Sequence, residues 1–371
     1  MFSAPRFLLT GFAALVCLTS ACTAQPVSAA DDTALDSRIA ARIDETLAEG
    51  VAGAIVLVEI GDQRHLFARG LADRATGEAM AGDDRLRMAS VGKLYTAAVI
   101  HRLVLDGQID LDRTAADYVE PAQIEGVPNA AIASIRQLLN HTSGVPDYYD
   151  DEWSERVGTE PINTADRTLG FIRGREADFL PGEGYGYSNS NYQLLGMVAE
   201  AVTGETLGEL MDSIIFTPLQ LEATGYNVYG DPHDRIHGYG RGDDADFDTF
   251  TLQDNNGADG GVLATADDAA TFLDALFADD GALADIGRSM LSDKYDQGNG
   301  RYRALGPSYV DHESGLSLAT HSGYIDGYVT TVVRVLAPDL TVIVHLNCSE
   351  PQLTGTLARD ILFMVAAEGG E

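Results

Sequence analysis

Lysine is almost missing from this chain. Only Lys93 and Lys294 occur, and every other basic side chain is arginine. Positive charge of either kind is scarce, with 24 Lys and Arg against 57 Asp and Glu, a formal charge of −33. A surface of that sign repels a polyanion, so nucleic acid is excluded as a partner. The charge fits solubility or a salty habitat, with attraction of a cationic substrate as the second reading. Cysteine is equally thin. Cys17, Cys22 and Cys348 are the three in the chain, too few for a disulfide framework. The eight histidines are scattered and no His-Glu-x-x-His run exists, which argues against a metallohydrolase. No metal or cofactor is expected. No internal repeat stands out. Against this background a lysine placed beside other reactive groups is informative.

What is present begins with a leader. Arg6 precedes an apolar run, Phe7 to Leu18, too short to span a bilayer stably. Two cleavage sites follow. Leu18-Thr19-Ser20-Ala21-Cys22 resembles a lipoprotein box, in which Cys22 becomes the lipidated first residue. An ordinary signal peptidase cut near Ser28-Ala29-Ala30 is the alternative. The apolar run stops immediately before Cys22, which favours the lipid anchor. The expected location is therefore outside the cytoplasm: periplasmic, anchored to the membrane through Cys22, or secreted. Residues 1–30 read as signal and tether and 31–371 as the functional domain, with small polar residues continuing to Asp36. Cys348 follows the apolar run Thr341 to Leu346 and reads as a buried thiol at a strand end.

The body alternates in type along its length. Ser37 to Glu49 carries Ile39, Ile43 and Leu47 at helical spacing. Val51 to Ile60 and His65 to Gly70, joined by Gly61-Asp62, read as an antiparallel hairpin. Ser90 to Leu105 reads as a helix apolar on most sides, hence buried. Helices joined by Gly/Pro/Asp-rich loops follow to about Asn256, including Tyr192 to Val202 and Leu207 to Ile215. Asp267 to Phe277 is a further helix. Leu316 to Thr320, Tyr328 to Leu336 and Leu340 to Leu346 return to strands, and Arg359 to Ala367 closes the chain as a helix. The predicted fold is α/β (α+β). An antiparallel sheet, built from about 37–89 and 257–371 and flanked by the N- and C-terminal helices, carries an all-helical lobe of about 90–256. A cleft between the lobes is the expected site.

Three constellations carry chemistry. Ser90-Val91-Gly92-Lys93 puts a hydroxyl and an amine on one helix face. A serine hydroxyl attacks only when a base takes its proton, and a lysine is a base only when neutral. Burial and a helix N-terminus both favour the neutral amine. Tyr187-Ser188-Asn189 follows a glycine-rich approach from Pro181, suited to presenting side chains into a cleft. A phenol beside the amine can shuttle protons, and the Asn189 amide can hold a substrate carbonyl or the lysine. His321-Ser322-Gly323 lies at the edge of the returning strands, where glycine permits close backbone approach to a ligand. The backbone N–H groups of Ser90 and Tyr324 are the expected oxyanion hole.

Ser-x-x-Lys, Tyr-x-Asn and a basic residue-x-Gly in this order resemble the serine β-lactamase superfamily. The Tyr-x-Asn form is similar to the class C β-lactamases, D-alanyl-D-alanine carboxypeptidases, D-aminopeptidases and related esterases. Met88 to Lys93, Gln137 to Gly144, Phe179 to Gly182 with Tyr187 to Asn189, Leu194 to Gly196, Pro218-Leu219 and Gly260 to Asp268 all resemble family segments. The resemblance runs from about Ile39 to the C-terminus. It implies a sheet domain with a helical lobe and a site between them. It implies Ser90 as the acylated nucleophile, Lys93 and Tyr187 sharing proton transfer, and Asn189, His321 and Gly323 binding substrate. His141 and Ser143 read as structural loop residues.

His321 stands where β-lactamases usually carry lysine, which leans the reading toward peptidases and aminopeptidases. The expected activity is acyl transfer on D-amino-acid peptides, with carboxylesterase or β-lactamase activity as alternatives. The partner is then a small-molecule or peptide substrate. A non-catalytic lipoprotein that binds penicillins or peptidoglycan is the alternative of another class.

Overall fold

The computed structural model describes residues 29–150, 153, 164–227, 234, 236–241, 246–250 and 257–368. The leader, both cleavage sites up to Ser28, and much of the Tyr148 to Pro161 loop lie outside the described residues.

The main sheet is antiparallel throughout and, among the described residues, has nine strands. In chain order they are β1 (Gly53–Ile60), β2 (Gln63–Asp73), β3 (Glu78–Ala79), β4 (Lys294–Gly298), β5 (Arg301–Ala304), β6 (Ser308–Asp311), β7 (Ser317–Ile325), β8 (Tyr328–Val335) and β9 (Leu340–Leu346). Their spatial order is β3-β2-β1-β9-β8-β7-β6-β5-β4. Two meanders from the two chain ends thus meet along β1 and β9, with Val56 opposite Val344.

Alternation along β1 assigns its side chains to two cores. Ala54, Val56 and Val58 face one cluster, and Ile55 and Leu57 face the other. This strand is buried on both faces, which is why it reads as one continuous apolar run. The first cluster is closed by helices α1 (Ala29–Leu47) and α5 (Pro351–Glu368), through Leu35, Ile39, Ile43, Leu357, Ala358 and Ile361. Both helices exceed their predicted spans. Leu35 lies four residues before Ile39 on the same face, so from Ala29 the polar stretch before Ser37 is helical, not a tether.

The second cluster joins the sheet to the helical part. Its central rod is α2 (Gly92–Leu105), whose first ten residues are all buried, with α3 (Ser190–Thr203) and α4 (Ala266–Phe277) packed nearby. The helix predicted from Ser90 begins with a 3-10 turn at Ala89–Val91. The helix predicted over Leu207 to Ile215 is α-helical only to Met211 and passes into a π-turn over Asp212–Phe216. Cys348 is buried, at the end of β9.

Candidate active site

Ser90 sits in the 3-10 turn that feeds α2, directly after Ala89, whose φ of 46° is in the left-handed region. A non-glycine residue there is strained, and the surrounding packing must hold it. Strand β7 supplies that packing. A Cβ on Gly323 would lie 2.2 Å from the Met88 carbonyl oxygen and 3.1 Å from both Ala89 Cβ and Ser90 N. The predicted need for glycine is real, but the backbone that approaches it is the Met88–Ser90 segment of this chain rather than a ligand.

Lys93, one turn on, is fully buried. Its Nζ is hydrogen-bonded to Ser90 Oγ at 3.1 Å, to Asn189 Oδ1 at 2.6 Å and to the Asp259 carbonyl oxygen at 2.7 Å. The amine thus ties the first turn of α2 to the residue capping α3 and to the loop before Gly260.

Asn189 is oriented from behind. Its Nδ2 and backbone N–H donate to Asp147 at 3.0 Å each, leaving Oδ1 for the lysine. Burial raises the Asp147 carboxyl to about 6, against the pull of its hydrogen bonds from the Tyr149 and Asn189 backbones. Asp259 is also buried. Its carboxylate accepts from the Tyr148 hydroxyl at 2.7 Å and the Gln193 amide at 2.5 Å, and burial again raises it.

The Tyr187 ring is held by three neighbours. His141 stacks on it with centroids 4.3 Å apart, and Lys93 Nζ and Arg303 Cζ each lie 5.2 Å from its centroid. His141 Nδ1 accepts from the Ser188 backbone N–H at 3.2 Å and from Asn191 Nδ2 at 3.3 Å. Burial, then Arg303 and Lys93, push this imidazole well below its usual range, so it is neutral. Ser143 Oγ donates to Asn191 Oδ1 at 2.7 Å. The loop containing His141 and Ser143 is therefore the mould in which Tyr187 and α3 are set.

A cavity of about 270 Å³ opens over these groups. Ser90, Tyr187, Asn189, Gly323 and Tyr324, all singled out from sequence, line it. Ser322, Ile325, Tyr149, Asp259, Pro351 and Thr354 complete the wall. Lys93 and His321 are buried and do not line it. His321 Nε2 lies 3.4 Å from Arg303 Nη2 and its Nδ1 lies 2.9 Å from the Ser322 carbonyl oxygen. A guanidinium only donates, so Nε2 accepts and the proton resides on Nδ1. Burial first, then Arg303 and Lys93, hold this imidazole neutral as well.

Sequence reasoning missed Asp147, Asp259, Gln193 and Arg303. Asp259 stands directly before the Gly260-Gly261 segment, and Asp147 follows Pro146 at a turn signal, so position alone offered a hint for both. Arg303 lies on a strand that was not expected, and nothing in its surroundings marks it.

Sheet, helical part, and a serine–lysine pair where the two meet are the arrangement of a serine hydrolase with an amine beside the serine. A family profile described as Beta-lactamase matches residues 39–365. Esterase EstB of Burkholderia gladioli is 31% identical over 210 residues, 53% of this chain and 53% of the esterase. A penicillin-binding protein of Bacillus subtilis (strain 168) is 27% identical over 317 residues, 80% of this chain and 68% of that protein. The match thus spans about half the length of the first relative and two thirds of the second. The D-amino acid amidase from Ochrobactrum anthropi SV3 superposes with a TM-score of 0.78 at 26% identity, covering 90% of this chain and 99% of that one. The chain belongs to the Beta-lactamase family of serine hydrolases.

Proposed function

We propose that this protein cleaves amide or ester bonds through an acyl-enzyme on Ser90, with D-amino-acid peptides, amides or esters as the substrate class. The observation that carries the reading is the contact set of Lys93. Asn189 Oδ1 and the Asp259 carbonyl are acceptors only, and together they use two N–H groups. A neutral amine then has its lone pair left for the Ser90 hydroxyl.

In this mechanism Ser90 Oγ attacks the substrate carbonyl carbon as its proton passes to the Lys93–Tyr187 pair. The backbone N–H groups of Ser90 and Tyr324 receive the oxyanion. The same pair returns the proton to the leaving nitrogen or oxygen as the C–N or C–O bond breaks. Water then attacks the acyl-enzyme, giving up one proton by the same route, and the free acid leaves with Ser90 restored. Asn189 and Gly323 border the acyl group. His321, on β7 itself, acts from the buried side of the cavity wall.

The D-amino acid amidase likeness and histidine at position 321 support the D-amino-acid class. The esterase likeness favours carboxylesterase activity as a second reading. A binder without turnover has no use for the Ser90–Lys93 contact. An active-site fluorophosphonate separates the two classes. Labelling is expected in the wild type and lost in Ser90→Ala and Lys93→Met. Undiminished labelling of a folded Ser90→Ala protein would overturn the assignment.

The leader supports export and a lipid on Cys22, on the sequence grounds given above. Wild type in the membrane fraction and Cys22→Ser in the soluble one is the expected result. Both in the soluble fraction would remove the anchor.

A further inference from the structure

Arg303 is a charge whose burial nothing in the mechanism above explains. Its side chain is 3% exposed. Nη1 donates to Ser308 Oγ at 2.7 Å, Nη2 reaches His321, and Nε has no partner. Among the described residues no carboxylate lies within ion-pair distance of it. Burying a guanidinium without a counter-charge is costly, and packing alone would be served better by an apolar side chain. Apart from Ser308, the groups the guanidinium meets belong to the site. It lies 5.2 Å from the Tyr187 ring centroid, within the range of a cation–π contact. It also fixes the proton of His321 on Nδ1. Its charge reaches His141, His321 and Tyr192 as well.

We infer that Arg303 is a positioning residue for acyl transfer, holding the Tyr187 ring by its face and His321 in one tautomer from behind the cavity wall. The inference rests on the serine-hydrolase reading above. Arg303 does not line the cavity, so it acts through these two groups and not on substrate. Tyr187 is 36% exposed, and a phenol so open to solvent keeps its aim only if its ring is gripped from below. His141 supplies one grip by stacking and the guanidinium supplies another. Lysine at this position would keep the charge but lose the planar fork that reaches Ser308 and His321 together.

The test compares wild type, Arg303→Lys and Arg303→Met on two matched acyl substrates, one uncharged ester and one bearing a free carboxylate. Folding is checked by far-UV circular dichroism and thermal unfolding. In Arg303→Met, kcat for both substrates is expected to fall roughly ten- to a hundredfold with KM within about threefold, the cost of a misaimed catalytic group. Arg303→Lys is expected to recover part of that loss, and it carries the test if Arg303→Met does not fold. Wild-type kcat in a folded variant would overturn the inference. So would a rise in KM confined to the carboxylate substrate, which would make Arg303 a direct binder of substrate. Fluorophosphonate labelling of Ser90 in the same variants separates this failure from failure of the serine-hydrolase reading. A wild type that does not label would remove both.

Discussion

An amine with no exposure must be surrounded by polar partners, and those around Lys93 come from three separated stretches of sequence. This is why Asn189 needs Asp147. With its amide nitrogen committed to the carboxylate, only the oxygen can turn to the lysine. Gly323 is the other position where one atom decides the outcome. A methyl group there would sit 2.2 Å from the Met88 carbonyl oxygen, and something must move. Gly323→Ala is expected to cost about 1–3 kcal/mol in stability, as overpacking does. Its kcat/KM should fall by about a hundredfold, because the displaced backbone carries Ser90. Urea unfolding and ester hydrolysis of the one variant check both numbers, and wild-type kinetics would show that strand and nucleophile are not in contact.

At the scale of elements, α1 and α2 pack on opposite faces of the sheet, while the first turn of α5 reaches the cavity through Pro351 and Thr354. Ile39 on α1 is fully buried against β1 and β9, far in connectivity from Ser90. Ile39→Ala should lose about 2–5 kcal/mol, the range for deleting a buried aliphatic side chain. It should leave kcat unchanged at temperatures where the protein is folded. A comparable loss of kcat would tie that helix to the site.

The elements legible in sequence were those with strong periodicity or burial on both faces. β1, β9 and α2 stood out because an unbroken apolar run has few places to go. Ser90, Lys93, Tyr187 and Asn189 were legible because their spacing is local. β4, β5 and β6 were not. They are short, partly exposed, and marked only by Gly298-Asn299-Gly300, whose positive φ angles turn the chain between β4 and β5. Missing them hid Arg303. Asp147, Asp259 and Gln193 were hidden for another reason. Each acts by a long-range hydrogen bond, and no local pattern encodes the far partner.

For the whole molecule, buried histidines and buried acids pull the response to acid in opposite directions. Burial lowers His101 to about 4 and His345 to about 3. His141 and His321 are also held well below the ordinary value of 6.5. Each is neutral in the fold and charges on unfolding. Their stabilisation is therefore present above pH 6.5 and is lost as pH falls toward the folded values. Glu59, raised to about 7, and Asp147, raised to about 6, act in the opposite sense. The fold holds their protons, and the stability they lend at low pH is lost as pH rises through those values. Asp259, Asp268 and Asp178 are raised as well, so between pH 4.5 and 6 these acids oppose the upward slope of stability with pH that the histidines supply. His101→Gln should reduce that slope by about 1.4 kcal/mol per pH unit, one proton's share. Urea unfolding at several pH values in this window measures it, and an unchanged slope would mean His101 is charged in the fold.

A covalent intermediate on one hydroxyl underlies the whole account, and rapid-quench kinetics read it directly. Mixed with a chromogenic D-amino acid ester, the wild-type protein should release a burst of alcohol equal to the enzyme present whenever water attack is the slower step. Mass spectrometry of the acid-quenched protein should place the acyl group on the peptide containing Ser90. An acyl group on any other side chain, or turnover at full rate by Ser90→Ala, would contradict it.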